Sequence, residues 1–259
     1  MPELPDVEGF RTVVAEHGTG HRISRVEVLD AGVLHAVRPR ELDQALVGRR
    51  LGSPDRHGKW LLAHTDGPTV MLHFGMTGEL RFTGWDEPRH RHDRVVFVTD
   101  EGELRYRDMR KLQGLRLAPD DDAVAEALAD LGPDASTVTR EQLDAMLDDR
   151  RGAVKTVLVD QGVIAGLGNL LSDEILWRAR IHPRLPSRDL TPEQRRRLHR
   201  EMRGVLRSAM AAGRVPPRRS WLTGVRDDPS SSCPRCGTPL RHDRAAGRST
   251  VWCPQCQAM

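Results

Sequence analysis

Residues 159–183 read VDQGVIAGLGNLLSDEILWRARIHP, and glycines at 162, 166 and 168 separate two helix-patterned stretches within them. A glycine-rich turn that opens a helix presents backbone N–H groups and the positive end of the helix dipole, which is the geometry of a phosphate site. Asn169 stands where its side chain could cap the second helix. No strand precedes the turn and a third patterned glycine is missing, so this is not a dinucleotide fingerprint. Its surroundings are helical. Thr139-Arg-Glu-Gln142 and Thr191-Pro-Glu-Gln194 are both capping boxes, the second with proline at the first helical position. The second box starts a helix expected over about 192–212, ending near Gly213.

All four cysteines lie in the last 27 residues, as Cys233-Pro-Arg-Cys236 and Cys253-Pro-Gln-Cys256 with 16 residues between the pairs. Each C-x-x-C knuckle offers two thiolates from one tight turn, and an intervening hairpin would bring the pairs together. One tetrahedral Zn(II) held by Cys233, Cys236, Cys253 and Cys256 is therefore expected. Two disulfides are the alternative, disfavoured in a chain without an export signal. No further ligand adjoins the knuckles. The ion is thus expected to be structural, folding a segment too short to bury its own core.

Charge adds a partner class. Residues 1–150 carry 20 Lys+Arg against 28 Asp+Glu, and residues 151–259 carry 20 against 9, so the halves stand at −8 and +11. A basic half on an acidic one is the footprint expected of a nucleic-acid partner, and the phosphate before the glycine turn would then belong to DNA backbone. Only three of the 40 basic residues are lysines. No run of about 18 apolar residues occurs, which excludes a helical membrane span. The charged N-terminal stretch lacks the apolar core of a signal peptide, so a soluble, intracellular protein is expected.

From about residue 21 to 118 the text alternates in short apolar runs broken by Gly and Pro: ISRVEVLD, KWLLAH, TVMLHFGM, RVVFVTD and ELRYRD. These read as strands of an antiparallel sandwich or barrel, with helices expected over 5–17 and 40–47. Residues 119–136 turn acidic and loop-like, with one short helix at VAEALAD, and residues 214–232 form a Pro-, Arg- and Ser-rich tether before the cysteines. The whole is an α+β chain.

The N-terminus, MPELPD, places two prolines around a glutamate. Once Met1 is removed, the ring nitrogen of Pro2 is a secondary amine able to attack a carbonyl-level carbon. Three separated stretches, MPELPDVE, DQGVIAGLGNLLSDEIL and GRSTVWCPQCQ, together resemble the formamidopyrimidine-DNA glycosylase and endonuclease VIII family over nearly the whole chain. The resemblance implies an N-terminal β-sandwich with flanking helices, a helix–two-turn–helix domain and a C-terminal zinc-finger β-hairpin. It places a catalytic sandwich domain over 1–118, a linker over 119–138, the helix–two-turn–helix domain over 139–228 and the zinc finger over 229–259.

It also implies roles. Pro2 would attack C1′ of a damaged nucleotide, expel the base and leave a Schiff base that breaks the strand by β,δ-elimination, with Glu3 as the adjacent acid/base. An α-amine has a pKa near 8, so a useful fraction is neutral near pH 7. Lys59 in RHGKWLL matches the family's hairpin lysine that assists base loss. Arg248 in GRST matches the zinc-finger arginine that grips the phosphates beside the lesion, where a planar fork suits two oxygens. Asn169 and the glycine-turn backbone should hold the same phosphates, and His92, Arg110 and Arg151 fall at further DNA-contact positions. A base inside a duplex must be flipped to be reached. Met76 in HFGMTG resembles the wedge that fills the vacated space, and Arg110 would contact the orphaned base.

Four departures from the family pattern bear on substrate choice. Asp6 replaces the usual Glu, Leu112-Gln113 a Phe-Gly pair, and Leu171-Ser172 a Tyr-Ala pair; only about 20 residues separate the long helix from Cys233. That tether is short for a lid over everted 8-oxoguanine. The expected activity is a bifunctional DNA glycosylase/AP lyase of base excision repair with endonuclease VIII-like lesion choice, monomeric, acting on damaged duplex DNA. Its expected location is the bacterial cytoplasm, at the nucleoid, and no protein partner is expected. A non-catalytic abasic-site binding protein on the same scaffold is the first alternative, and a general zinc-finger nucleic-acid binder the second.

Overall fold

The computed structural model describes residues 1–148, 150–245 and 247–259. The chain divides into two compact units, Met1–Pro2 with Asp6–Asp130, and Glu3–Pro5 with Leu131–Met259.

The first unit takes its elements in the order α1 (Leu4–His17), β1 (Ile23–Val28), α2 (Pro39–Leu46), β2 (Asp55–His57), β3 (Trp60–Ala63), β4 (Thr69–His73), β5 (Glu79–Thr83), β6 (Asp93–Thr99), β7 (Glu103–Arg107), β8 (Leu115–Ala118) and α3 (Asp121–Leu128). The strands form two antiparallel four-stranded sheets, ordered β1-β6-β7-β5 and β2-β3-β4-β8. Inward residues of both sheets, among them Val26, Val95, Phe97, Leu61, Leu72 and Leu115, share one core with Val7 and Val14 of α1 and Leu42 and Leu46 of α2. The i, i+4 spacing within α2 and the period of two along the strands are what deliver those side chains to one side. This is the sandwich with flanking helices. Three of its strands, β2, β5 and β8, leave no legible apolar run in the sequence, because each is short or bears charged residues on an exposed face.

The second unit continues with α4 (Arg140–Asp148), α5 (Val154–Val159), α6 (Asn169–Ala179), α7 (Pro192–Met210), β9 (Arg241–Ala245) and β10 (Arg248–Trp252). Both capping boxes are closed: Thr139 N–H donates to Gln142 Oε1 at 2.9 Å and Thr191 N–H to Gln194 Oε1 at 2.8 Å, each returned by the glutamine's own N–H. The core of this unit gathers Leu143, Leu147, Leu158, Leu171, Ile175, Leu198, Met202 and Val205 from all four helices, and Leu4 from the N-terminus. α6 is buried on nearly every side, which fits a helix surrounded by its neighbours. β9 and β10 pair as an antiparallel hairpin. Among the described residues no helix is long and apolar enough to cross a membrane.

Candidate active site and zinc site

The four cysteine sulfurs of the second unit lie within 4.8 Å of one another. Separations of 3.9 Å for Cys233–Cys256 and 3.5 Å for Cys236–Cys253 are far beyond the disulfide bond length of about 2.05 Å. They match the edge of a tetrahedron of thiolates each about 2.3 Å from one zinc ion. Backbone N–H groups of Arg235 and Cys256 donate to Cys233 Sγ and Cys253 Sγ, both at 3.4 Å, and Trp177 Nε1 donates to Cys233 Sγ at 3.3 Å. The donor set therefore fits one structural zinc. Around it a small apolar cluster contains Trp177, Leu222, Leu240 and Val251.

At the other end of α6 stands Glu3, fully buried. Its carboxylate accepts the N–H of Gly168 at 2.8 Å and Leu171 at 3.1 Å on Oε2, and that of Leu170 at 2.7 Å on Oε1. A helix start leaves about four N–H donors without intrahelical partners. Here a carboxylate from the chain's third residue takes three N–H groups at that end, with the charge sign that the helix dipole favours. Two sequence expectations are corrected. The amides of Gly168, Leu170 and Leu171 are occupied by Glu3 rather than presented to a phosphate. Asn169 is the first residue of α6, not its cap: Gly168 holds the cap position without a side-chain bond.

Only glycine fits there. A Cβ on Gly168 would lie 2.3 Å from Glu3 Cδ and 2.4 Å from Oε1, and one on Gly166, whose φ is +109°, would lie 2.5 Å from a Leu4 methyl. Gly168→Ala is expected to expel the Glu3 carboxylate and destabilise the protein by about 2–4 kcal/mol, the range of a broken buried network. Urea unfolding of the variant measures this directly, and a loss below about 0.5 kcal/mol, the size of an ordinary surface change, would refute the contact.

A buried ionic cluster ties α5 and α6 to the hairpin. Lys155 Nζ lies 2.6 Å from Asp173 Oδ1 and donates to Ser249 O at 2.9 Å and Thr250 Oγ1 at 2.8 Å. Asp173 Oδ2 accepts the Val251 N–H at 3.1 Å and pairs with Arg226 at 3.1 Å. Arg226 in turn donates to Asn169 O at 3.2 Å. Asn169 Nδ2 reaches Ser249 Oγ at 3.1 Å. Burial pushes the Lys155 ammonium down and the Asp173 carboxyl up, and their mutual contact opposes both. Thus residues 249–251, next to exposed Arg248, are fixed to the helix whose first turn holds Glu3. Lys155, Asp173 and Arg226 escaped the sequence reading. The available signals were a lysine inside the apolar run VKTVLV and two adjacent acids in LSDEIL.

In the first unit, Pro2 is half-buried and Met1 exposed. Lys59 occupies the second position of the two-residue turn between β2 and β3, where His57 pairs with Trp60. Gly58 at the first position has φ +56°, as a type II′ hairpin requires. The Lys59 charge, with that of Arg116, adds to burial in pushing His73 down to about 4. Neutral His73 accepts the Gly75 N–H on Nδ1 at 3.0 Å, anchoring the loop that carries Met76. Arg110 Nη1 approaches Met76 Sδ at 3.0 Å. The turn beneath them hangs on buried Asp108, which accepts Arg110 N–H at 3.0 Å, Lys111 N–H at 3.1 Å and Thr77 Oγ1–H at 2.5 Å. Met76, Met109 and Leu112 are exposed apolar side chains of this region. His92 is half-buried and bonded to Arg91 and Arg94, and Arg151 is exposed ahead of α5. Among the described residues, no hydrogen bond joins His92 or Arg151 to another candidate residue of its own unit.

A two-sheet sandwich, a helical unit with a glycine-turn helix and a four-cysteine hairpin are the three parts that the resemblance to helix–two-turn–helix DNA glycosylases implies. Comparison with known proteins agrees region by region. The profile for the formamidopyrimidine-DNA glycosylase N-terminal domain matches residues 1–115. The formamidopyrimidine-DNA glycosylase H2TH domain matches 131–217, and the zinc finger found in FPG and IleRS matches 231–258. The formamidopyrimidine-DNA glycosylase of Symbiobacterium thermophilum is 36% identical over 99% of this chain and 89% of its own length. That of Bacillus subtilis is 34% identical over 99% of each. The structure of Lactococcus lactis Fpg with DNA containing an abasic site superposes over all of both chains with a TM-score of 0.90 at 28% identity. The chain belongs to the formamidopyrimidine-DNA glycosylase family, DNA glycosylases and AP lyases of base excision repair.

Proposed function

We propose that this chain excises oxidised bases from damaged duplex DNA through a Schiff base on Pro2 and then cuts the strand by β,δ-elimination. With Met1 removed, the Pro2 nitrogen forms a bond to C1′ as the glycosidic C–N bond breaks and the base leaves with a proton. Ring opening gives the iminium. Loss of a C2′ proton expels the 3′ phosphate, loss of a C4′ proton the 5′ phosphate, and water releases Pro2. Glu3 exchanges protons with the ribose oxygen and the base. Lys59 assists base loss and Arg248 steadies the phosphates with Asn169. Met76 fills the emptied stack and Arg110 meets the orphaned base, with His92 and Arg151 as backbone contacts.

The observation that carries this reading is the burial of the Glu3 carboxylate on three backbone N–H groups, immediately next to Pro2. A side chain so fixed gives the residue before it a defined place, as a chemical role demands. The tether supports an endonuclease VIII-like lesion choice, favouring oxidised pyrimidines, hydantoins, ring-opened purines and abasic sites over 8-oxoguanine. Trp221, Leu222 and Arg226 within it are buried, so much of its length is committed to packing. The Lactococcus lactis enzyme has itself been solved with DNA containing an oxidised pyrimidine. The bacterial cytoplasm is the proposed location.

Borohydride trapping of the Met1-processed protein tests the reading. A covalent adduct mapping to Pro2 is expected on abasic and oxidised-pyrimidine duplexes, with little on 8-oxoguanine. No adduct on the abasic duplex would instead favour the non-catalytic damage-binding alternative.

A further inference from the structure

At the C-terminal end of α6, opposite Glu3, the guanidinium groups of Arg178, Arg180, Arg197, Arg200 and Arg235 line one cavity of about 470 Å³, with Glu201 as the single acid in its wall among the described residues. The eleven residues of α6 put this cavity about 16 Å along the helix from the Glu3 carboxylate. Nothing in the proposed reaction uses it.

Cations do collect at helix C-termini, and two of the five meet that need: Arg197 donates to Ala179 O, and Arg235 to Trp177 O at 3.1 Å. Capping alone does not account for the rest. Arg178 is stacked on Trp221 with its guanidinium carbon 4.4 Å from the ring centroid, and Arg235 sits equally close over Trp177. These contacts hold the planar forks in place before any ligand arrives. Around the cavity stand three carboxylates: buried Glu174 2.7 Å from Arg178, Glu193 3.6 Å from Arg197 and Glu201 3.0 Å from Arg200. Five guanidiniums against three carboxylates leave an excess of positive charge. Arg180, its backbone left-handed at φ 54°, has no side-chain ion pair among the described residues. A guanidinium carries five N–H donors, and most of those here have no protein acceptor among the described residues.

The shape and the indoles choose among polyanions. A cavity of about 470 Å³ is the size of a small-ligand pocket and admits a few residues or a small ligand, not a duplex. Single strands are held largely by stacking bases on aromatic faces. Here Trp177 and Trp221 are buried and covered by guanidiniums. Carboxylates on an extended peptide suit paired guanidinium forks and need no aromatic face. We propose that this cavity is a docking site for an acidic peptide segment of a partner protein, rich in Asp and Glu. The proposal stands independently of the chemistry assigned to Pro2.

The test is fluorescence anisotropy of the full-length zinc-loaded protein with a labelled hexapeptide alternating Asp and Glu. Its Asn/Gln counterpart and a labelled hexathymidylate serve as comparisons. Saturable binding of the acidic peptide is expected, weakened at least about tenfold in Arg180→Glu/Arg200→Glu by like-charge repulsion. Abasic-site cleavage by that variant should stay within about twofold of the parent, since the sites are distant. A saturating abasic-analogue duplex should leave the peptide bound. Equal binding by the variant or by the neutral peptide would overturn the proposal. Displacement by duplex would place the peptide on the DNA surface, and tighter binding of hexathymidylate would make the cavity a nucleic-acid site. Either result also refutes it.

Discussion

Glu3→Gln is expected to slow strand cleavage at an abasic site by about a thousandfold, the mid-range for removing a positioned acid/base. The same change should lower the unfolding free energy by about 2–4 kcal/mol, because Glu3 is also the remote cap of α6. The carboxylate accepts three N–H groups through two oxygens. An amide keeps one acceptor oxygen and turns an NH2 donor toward backbone donors, so at least one contact becomes a donor facing a donor. The negative charge at the positive end of the helix is lost as well.

The two effects separate by experiment. Single-turnover cleavage below the unfolding transition reads the chemistry, while urea unfolding reads the cap. Affinity for a non-cleavable abasic analogue should change little, since Arg248 and Asn169 are fixed through Lys155, Asp173 and Arg226 rather than through Glu3 alone. Pro2→Gly is the companion, expected to abolish cleavage while leaving the Glu3 contacts intact. If Glu3→Gln cut abasic DNA at the parental rate, its chemical role would be lost and only the capping role would remain.

What the sequence revealed, and what it hid, follows from the range of each interaction. β1, β3, β4, β6 and β7 were legible because a buried strand writes its period of two locally. The sheet orders were not, since β1 pairs with β6 and β4 with β8 across 41 or more intervening residues. Both capping boxes were legible, being closed within three residues. The Glu3 cap was not: its donors lie 165 to 168 residues away. Read alone, the glycine turn looked like a place for phosphate, and the chain supplies a carboxylate there instead. The same distance hid the Lys155–Asp173–Arg226 cluster, which looks in sequence like three ordinary charges. By contrast the cysteine knuckles carry their geometry in their spacing, and the metal set assembles as the spacing implied.

Zinc removal should have the broadest effect. Cys253→Ser is expected to abolish zinc binding and to weaken binding of an abasic-analogue duplex at least about a hundredfold, equivalent to about 2.7 kcal/mol. Among the described residues the zinc-finger segment contributes Leu240 and Val251 as its buried non-cysteine apolar side chains, worth about 3–6 kcal/mol together. Ordering its backbone costs about 1–2 kcal/mol per residue, far more than those two side chains return. The metal is the segment's main stabilising contribution, about 10–16 kcal/mol in zinc-finger peptides. A serine hydroxyl cannot replace a thiolate ligand at a fully buried position such as 253. Without the ion, Arg248 loses its platform, and Ser249 and Val251 leave their partners Lys155 and Asp173. The helical core around α6 and α7 contains no cysteine, so far-UV circular dichroism should retain its helical signal while zinc content and DNA affinity fall together. Retained stoichiometric zinc in the variant, or undiminished affinity in the zinc-free protein, would refute the assignment. A collapse of the helical signal would show instead that the metal also supports the second unit's core.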